Sequence, residues 1–172
     1  MFIDRIKDVR HVMEENEVEA LLLSVGADLP YFTGYEAMPL ERLTMLVLPR
    51  EGQAKLIVPA LEAPRVQEQP EIFSLRPWKE SEDPIAILVE ELGASRSVAV
   101  GDTTWSRFTI ELLNQLPNLR LSRANSITSI IRSKKSPDEI ERLKEAAAAV
   151  DRIAARLQSG EIQLIGKSES QV

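Results

Sequence analysis

Apolar and polar positions follow two periods along this chain, one typical of buried strands and the other typical of amphipathic helices. Short, nearly continuous apolar runs predict strands at residues 19–24, 43–48, 54–58 and 97–100, with weaker ones at 72–75 and 119–122. Apolar residues that recur every three or four positions predict helices at residues 4–16, 84–92, 105–116 and 137–157, with shorter helical segments at 61–69 and 125–131. Strands and helices therefore alternate, which predicts an α/β fold.

One pair of strands interrupts this alternation. The turn sequence at residues 49–53 joins the second and third predicted strands directly, so these two strands should form an antiparallel hairpin. We therefore predict a mixed sheet of about six strands with helices on both faces. Residues 36–40 and 76–84 are predicted to be loops, and the second of these contains Trp78.

The last predicted helix has clear boundaries in the sequence. Ser136 is placed as an N-cap, Pro137 occupies the first helical position, and Glu139 completes a capping box. Gly160 supplies a C-terminal stop. Between these ends an apolar stripe follows one face of the helix, formed by Ile140, Leu143, Ala147, Val150, Ile153, Ala154 and Leu157.

The long helix divides the chain into segments. We expect an α/β domain at residues 1–131, a linker helix at residues 132–160, and the truncated start of a further domain at residues 161–172. The apolar stripe on the linker helix is too long for one edge contact with the α/β domain. Its C-terminal half is therefore expected to pack against a downstream domain. Without that domain, the helix should either fray beyond Val150 or, as the alanines at residues 146–149 favour, bury the stripe against a second copy of the chain.

Composition excludes several classes of function. The 172 residues suit one globular domain of ordinary size, with 44% hydrophobic and 28% charged residues. A formal net charge of −6 argues against nucleic-acid binding, and the basic cluster at residues 132–135 is interpreted as a solvated linker. No apolar run approaches the ~18 residues of a membrane span. The lack of cysteine and of an N-terminal apolar segment leads us to expect a cytoplasmic protein without a membrane partner.

Two stretches of the sequence resemble the creatinase/prolidase/aminopeptidase P peptidases. The first is the linker R-x-x-K-S-P-x-E-I-E-x-L-(K/R)-x-A-A, matched here by Arg132, Lys135, Ser136, Pro137, Glu139, Ile140, Glu141, Leu143, Lys144, Ala146 and Ala147. The second is A-N-x-x-Y-L-T-G-F after the first strand, matched outright by Tyr31, Thr33 and Gly34 and conservatively by Phe32 and Tyr35. Asp28 replaces the usual Asn and Pro30 a polar residue, and both changes are compatible with local turn chemistry.

This resemblance implies an N-terminal domain with a six-stranded mixed sheet, followed by a metal-dependent pita-bread catalytic domain. In the family, two Asp, one His and two Glu of the downstream domain hold two divalent metal ions, for which Mn²⁺, Co²⁺ or Zn²⁺ are suitable. None of these positions maps onto the present chain, and the single histidine, His11, lies among charged neighbours. We therefore predict neither a catalytic residue nor a metal site in this segment.

The resemblance also points to residues that could contact a substrate. In the family, the N-terminal domain of one subunit can lend loop residues to the active site of another subunit. The loop after T-G-aromatic carries Tyr35, Glu41 and Arg42, and Arg42 could hold a substrate carboxylate in bidentate fashion. The alternative is that Glu41 and Arg42 cap a strand and pair with each other or with a neighbour.

Three functions are compatible with these observations. The first is the non-catalytic N-terminal domain of a metal-dependent Xaa-Pro peptidase, of the aminopeptidase P or prolidase type, which forms a homodimer and restricts access to the active site. The whole protein would then hydrolyse the peptide bond that precedes proline in short peptides. The second is the N-terminal domain of a creatinase-like amidinohydrolase. The third is a free-standing α/β interaction module.

Overall fold

The structure is a computed structural model that describes residues 2–171 and forms two compact units, Met1–Ile131 and Arg132–Val172. The helices are α1 (Phe2–Glu15), α2 (Asp28–Thr33), α3 (Pro84–Leu92), α4 (Ser106–Gln115), α5 (Asn125–Ser133) and α6 (Pro137–Gln158). The strands are β1 (Ala20–Ser24), β2 (Met45–Pro49), β3 (Ala54–Pro59), β4 (Phe73–Trp78), β5 (Ser97–Val100) and β6 (Arg120–Arg123). Two short 3₁₀ turns lie at Ala63–Arg65 and Glu169–Gln171.

The six strands form one mixed sheet in the order β4-β3-β2-β1-β5-β6. Strand β2 is antiparallel to both β1 and β3, so β2 and β3 form the predicted hairpin. The other neighbours are parallel: β1 with β5, β5 with β6, and β3 with β4. The prediction of a mixed sheet of about six strands is therefore confirmed.

Side chains on alternate positions of the central strands enter two separate cores. Leu21 and Leu23 of β1 belong to the core that also buries residues of the first, second and fifth helices, among them Val9, Met13, Leu29, Phe32 and Ile127. Ala20 and Leu22 of β1 belong to the core on the other face, with Ile85, Leu88, Phe108 and Leu112 from α3 and α4. Because strand side chains alternate between faces, this pattern places helices on both sides of the sheet, as predicted.

Two local predictions are wrong. The helix predicted at residues 61–69 is reduced to the 3₁₀ turn at Ala63–Arg65, because Val66 adopts an extended conformation and buries its side chain. The loop predicted at residues 76–84 begins later, since β4 continues through Trp78. Strand β4 contains Pro77, which lacks an N–H group. An edge strand tolerates this, and among the strands of residues 2–171 β4 has β3 as its single neighbour.

The long helix of the second unit has the predicted ends. The Ser136 hydroxyl accepts a hydrogen bond of 3.2 Å from the Glu139 amide, while the Glu139 carboxylate accepts one of 2.8 Å from the Ser136 amide. At the other end Gly160 has a φ of 76° and donates to the carbonyl oxygen of Leu157, and the amide of Glu161 donates to that of Arg156. These two bonds form a Schellman motif, so both ends of the helix are capped.

Candidate functional site

The second motif stretch ends in a tightly bonded turn at the end of α2. Gly34 has a φ of 73° and its amide donates to the carbonyl oxygen of Pro30 at 2.8 Å, which ends the helix. The buried hydroxyl of Thr33 donates to the carbonyl oxygen of Leu29 at 2.7 Å and accepts from the amide of Tyr35 at 3.1 Å. The Thr-Gly pair therefore determines the direction in which the chain leaves α2 and enters the loop at residues 35–42.

A small depression, with room for about one water molecule, lies beneath this loop, beside the start of β2 and the end of β3. Its lining residues are Tyr35, Ala37, Met38, Leu40, Arg42, Thr44, Pro59 and Glu62. We call this depression the loop cleft. The structure thus brings two of the three candidate residues, Tyr35 and Arg42, to one place, whereas Glu41 is exposed and does not line the cleft. The contacts of Tyr35, Glu41 and Arg42 with a substrate remain predictions.

Arg42 is held by a residue that the sequence did not indicate. Its Nε atom lies 2.9 Å from Oε1 of Glu80, which follows β4. Arg42 thus forms an ion pair with a neighbouring residue, as in the alternative to substrate binding given above. This neighbour is Glu80 rather than Glu41. Ion pairing does not exclude substrate binding, because a guanidinium group has five N–H donors.

Partial burial, more than nearby charge, raises the pKa of Tyr35 and keeps its phenol protonated. Burial raises the pKa of Tyr35, the negative charge of Glu62 raises it further, and the positive charge of Arg65 opposes the rise. Glu62 and Arg65 also form an ion pair of 2.9 Å. Tyr35 is therefore a hydrogen-bond donor at neutral pH, and it lines the loop cleft together with Glu62 and Arg42.

Glu62, Thr44 and Glu80 were missed by the analysis of the sequence. Glu62 and Glu80 lie in different segments of the chain from the Thr-Gly motif, and no local spacing relates them to Tyr35 or Arg42, whereas Thr44 lies two residues after Arg42. Glu62 and Glu80 become neighbours of Tyr35 and Arg42 only when β2 and β3 pair and β4 joins the sheet edge.

The described residues offer no fit for the metals of the resembled family. Across residues 2–171 no group of three or more His, Cys, Asp or Glu side chains could hold a metal ion. His11 is exposed, and its Nε2 atom lies 3.5 Å from Oε1 of Glu15, as expected of a surface residue. The same described part of the chain contains no helix both long and apolar enough to cross a bilayer.

A sequence profile of the creatinase/prolidase N-terminal domain matches residues 5–134 of this chain. The chain belongs to this family. This creatinase/prolidase N-terminal domain is 32% identical over 156 residues to a probable dipeptidase PepE of Mycobacterium bovis. That alignment covers 88% of the chain but only 41% of the relative, so the chain spans about two fifths of the relative's length.

Solved structures agree with the family membership. Dipeptidase PepE from Mycobacterium ulcerans superposes with a TM-score of 0.85 at 28% identity, over 99% of this chain and 46% of that one. A prolidase from Thermococcus sibiricus gives a TM-score of 0.85 at 27% identity, over 99% of this chain and 47% of that one. The matched part of each relative is thus less than half of a longer protein.

Proposed function

We propose that this creatinase/prolidase N-terminal domain is the non-catalytic part of a metal-dependent Xaa-Pro peptidase of the dipeptidase or aminopeptidase P type. The observation that carries the proposal is the partial match to relatives named dipeptidase and prolidase, of which it spans 41% to 47%. The whole protein would hydrolyse the peptide bond that precedes proline in short peptides. Residues 1–131 would be the α/β domain, residues 132–160 the linker helix, and residues 161–172 the start of the catalytic domain.

The domain would act by assembling a homodimer and by restricting access to the active site. In such a dimer the loop at residues 35–42 reaches the active site of the partner subunit. Tyr35 and Arg42 then contact the substrate from the loop cleft, with Glu41 on the exposed side of the loop. Support comes from the joint position of Tyr35 and Arg42 and from the exposure of Met38, whose side chain would be covered in an assembly.

The chemistry would belong to the downstream domain. Two divalent ions, Mn²⁺, Co²⁺ or Zn²⁺, would be held there by carboxylates and one histidine and would activate the attacking water. The residues of the present segment would bind neither ion, and their part would be to orient the peptide and limit its length. We also propose a cytoplasmic location, which the lack of cysteine favours.

The creatinase-like reaction is the second candidate, because this architecture can also serve hydrolysis of a C–N bond in creatine. A free-standing interaction module is the third. The codons that follow Val172 separate these possibilities: an Xaa-Pro peptidase requires two Asp, one His and two Glu at the metal-ligand positions of a second domain. A stop codon directly after Val172 would support the interaction module.

An assay of the full-length protein tests the proposal. With Mn²⁺ present, we expect hydrolysis of Xaa-Pro dipeptides or of Xaa-Pro-Xaa tripeptides, no hydrolysis of matched peptides with alanine in place of proline, and no turnover of creatine. Calorimetry with Mn²⁺ on residues 1–172 is the companion measurement. A stoichiometric site of micromolar affinity in this segment, or turnover of creatine by the full-length protein, would contradict the proposal.

A further inference from the structure

The ion pair between Arg42 and Glu80 restrains a side chain that lines the loop cleft. The side chain of Arg42 is 33% exposed and that of Glu80 is 64% exposed. Within residues 2–171, Glu80 is the only carboxylate in ion-pair contact with Arg42. Pairs between such exposed groups contribute little to fold stability, because water and salt screen them. The main consequence of this contact is therefore the orientation of the guanidinium group.

Glu80 is itself held in a hydrogen-bonded turn between β4 and α3. The amide of Glu82 donates to the carbonyl oxygen of Lys79 at 2.9 Å, which closes the turn around Glu80. The carboxylate of Glu82 accepts a hydrogen bond of 2.8 Å from the amide of Lys79. The next residue, Asp83, caps α3 by accepting from the amide of Ile85. The main chain at Glu80 is thus fixed from both sides.

The same segment also holds the main chain beside Arg42. The indole Nε1 of Trp78 donates a buried hydrogen bond of 2.9 Å to the carbonyl oxygen of Leu43, the residue after Arg42. Trp78 is buried, so this bond is protected from water. Trp78, at the end of β4, therefore contacts the backbone next to Arg42. Glu80, two residues later, contacts the guanidinium group of Arg42.

We infer that Glu80 is a positioning residue that orients Arg42 so that its two Nη atoms can bind the free C-terminal carboxylate of a short peptide substrate. The contact with Glu80 uses Nε, on one side of the guanidinium group. The two Nη atoms at its end can still form the bidentate pair that arginine makes with a carboxylate. This inference rests on the proposed function, in which Arg42 contacts the substrate, and it adds Glu80 as the residue that orients Arg42.

Glu80 has two effects on such a substrate, and they have opposite signs. Its negative charge repels the carboxylate of the peptide, whereas its contact with Nε reduces the number of conformations that Arg42 must lose on binding. The charge of Glu80 is exposed and screened. The orientation of Arg42 is the larger effect, and removing Glu80 weakens the binding of the carboxylate.

Steady-state kinetics of the full-length protein with Mn²⁺ distinguish the two effects. Glu80→Ala removes both the charge and the acceptor for Nε, whereas Glu80→Gln removes the charge and keeps an acceptor. For an Xaa-Pro substrate with a free carboxylate, we expect Glu80→Ala to raise KM about 2- to 5-fold with kcat nearly unchanged, because the free energy of an exposed ion pair limits how far it can pre-order Arg42. Glu80→Gln should raise KM less. In an Arg42→Ala background, Glu80→Ala should not raise KM any further.

The C-terminal amide of the same peptide, used as a substrate or as a competitive inhibitor, is the second probe. Its KM or inhibition constant should not change in Glu80→Ala, because the amide lacks the charge that Arg42 binds. Glu51→Ala is the matched control, since Glu51 is exposed and lies in the turn at the far end of β2. It should keep the KM of the unmodified protein.

Two results would overturn the inference while leaving the proposed function intact. One is hydrolysis of Xaa-Pro peptides with an unchanged or lower KM in Glu80→Ala. The other is an equal change for the carboxylate and the amide. If the full-length protein hydrolyses no Xaa-Pro peptide, the proposed function fails first and the inference fails with it.

Discussion

The side-chain amide of Gln69 donates a hydrogen bond of 2.9 Å to the main-chain carbonyl oxygen of Thr33, 36 residues earlier in the chain. It joins the end of α2 to the segment that precedes β4. The hydroxyl of Thr33 meanwhile bonds to Leu29 and Tyr35, so the turn before the loop cleft is bonded on three sides. The Thr-Gly motif is therefore explained by the geometry of a turn that directs Tyr35.

Replacement of Thr33 by Val should lower the free energy of unfolding by about 1–3 kcal/mol. Valine keeps the volume of this buried side chain but removes the acceptor for the Tyr35 amide. Urea denaturation of residues 1–172 measures the change. Thr33→Ser keeps the hydroxyl and is the control, which should lose less. Equal stability of Thr33→Val and the unmodified chain would show that the hydroxyl is dispensable.

Gly34→Ala should destabilise the domain more than Gly52→Ala does. Both glycines have positive φ, 73° and 92°, so an alanine at either position costs about 1–2 kcal/mol of backbone strain. Only at Gly34 would the new Cβ also meet a side chain, with Cζ of Phe2 at 3.1 Å. At Gly52 no atom lies within 4 Å. Thermal unfolding of the two variants separates strain from crowding, and equal losses would contradict a contribution from Phe2.

The stability of the sheet should depend on pH through Glu19. Its carboxylate accepts hydrogen bonds from the main-chain amides of Arg96 and Ser97, and these lower the pKa of Glu19. Because the pKa of Glu19 is lower in the folded state, ionised Glu19 stabilises the fold at pH values above its pKa in the unfolded chain, about 4.3. This stabilisation is lost as the pH falls through the folded pKa.

Glu19→Gln is the test of this dependence, because it removes the charge while keeping an oxygen acceptor. Its melting temperature should lie below that of the unmodified chain at pH 7, and the difference should shrink as the pH falls below about 4. A difference that stays constant from pH 7 to pH 3 would show that the ionisation of Glu19 does not stabilise the fold.

Ser136→Ala should weaken the start of α6 by about 1 kcal/mol, the usual loss for an N-cap hydroxyl. Hydrogen exchange at the Glu139 amide should become faster, since this amide donates to the Ser136 hydroxyl. Ser136→Asp keeps a capping acceptor and should behave like the unmodified chain. The α/β unit should be nearly unaffected, and a fall of its melting temperature by more than about ten degrees would be incompatible with a cap that serves only the helix.

The apolar stripe on α6 should make the isolated 172-residue chain self-associate. The alanines at residues 146–149 allow close approach of a second helix, and the spacing includes a heptad-like seam. Because this seam is shorter than three heptads, the association should be weak. Light scattering over a range of concentrations measures it, and Val150→Glu should reduce it. A strict monomer whose amides near Leu157 resist hydrogen exchange would refute this prediction.

Short-range features of the sequence predicted the elements whose causes are local. The helix predicted at residues 84–92 coincides with α3, and the strand predicted at residues 97–100 coincides with β5. The capping box of Ser136 and Glu139 is also present. In each case the decisive residues lie within a few positions of one another, so a cap, a stop or an apolar run is sufficient to specify the conformation.

Tertiary structure decided the features that depend on contacts between distant segments. The chain after β3 becomes extended at Val66, because burial of this side chain overrides a weak helical pattern. Strand β4 continues through Pro77, because β4 lies at the edge of the sheet beside β3. The sequence selected Tyr35 and Arg42 through a family resemblance, but not their neighbours Glu62 and Glu80. These partners are brought together by the register of the sheet, and hydrophobic burial over the whole domain determines that register rather than any local pattern.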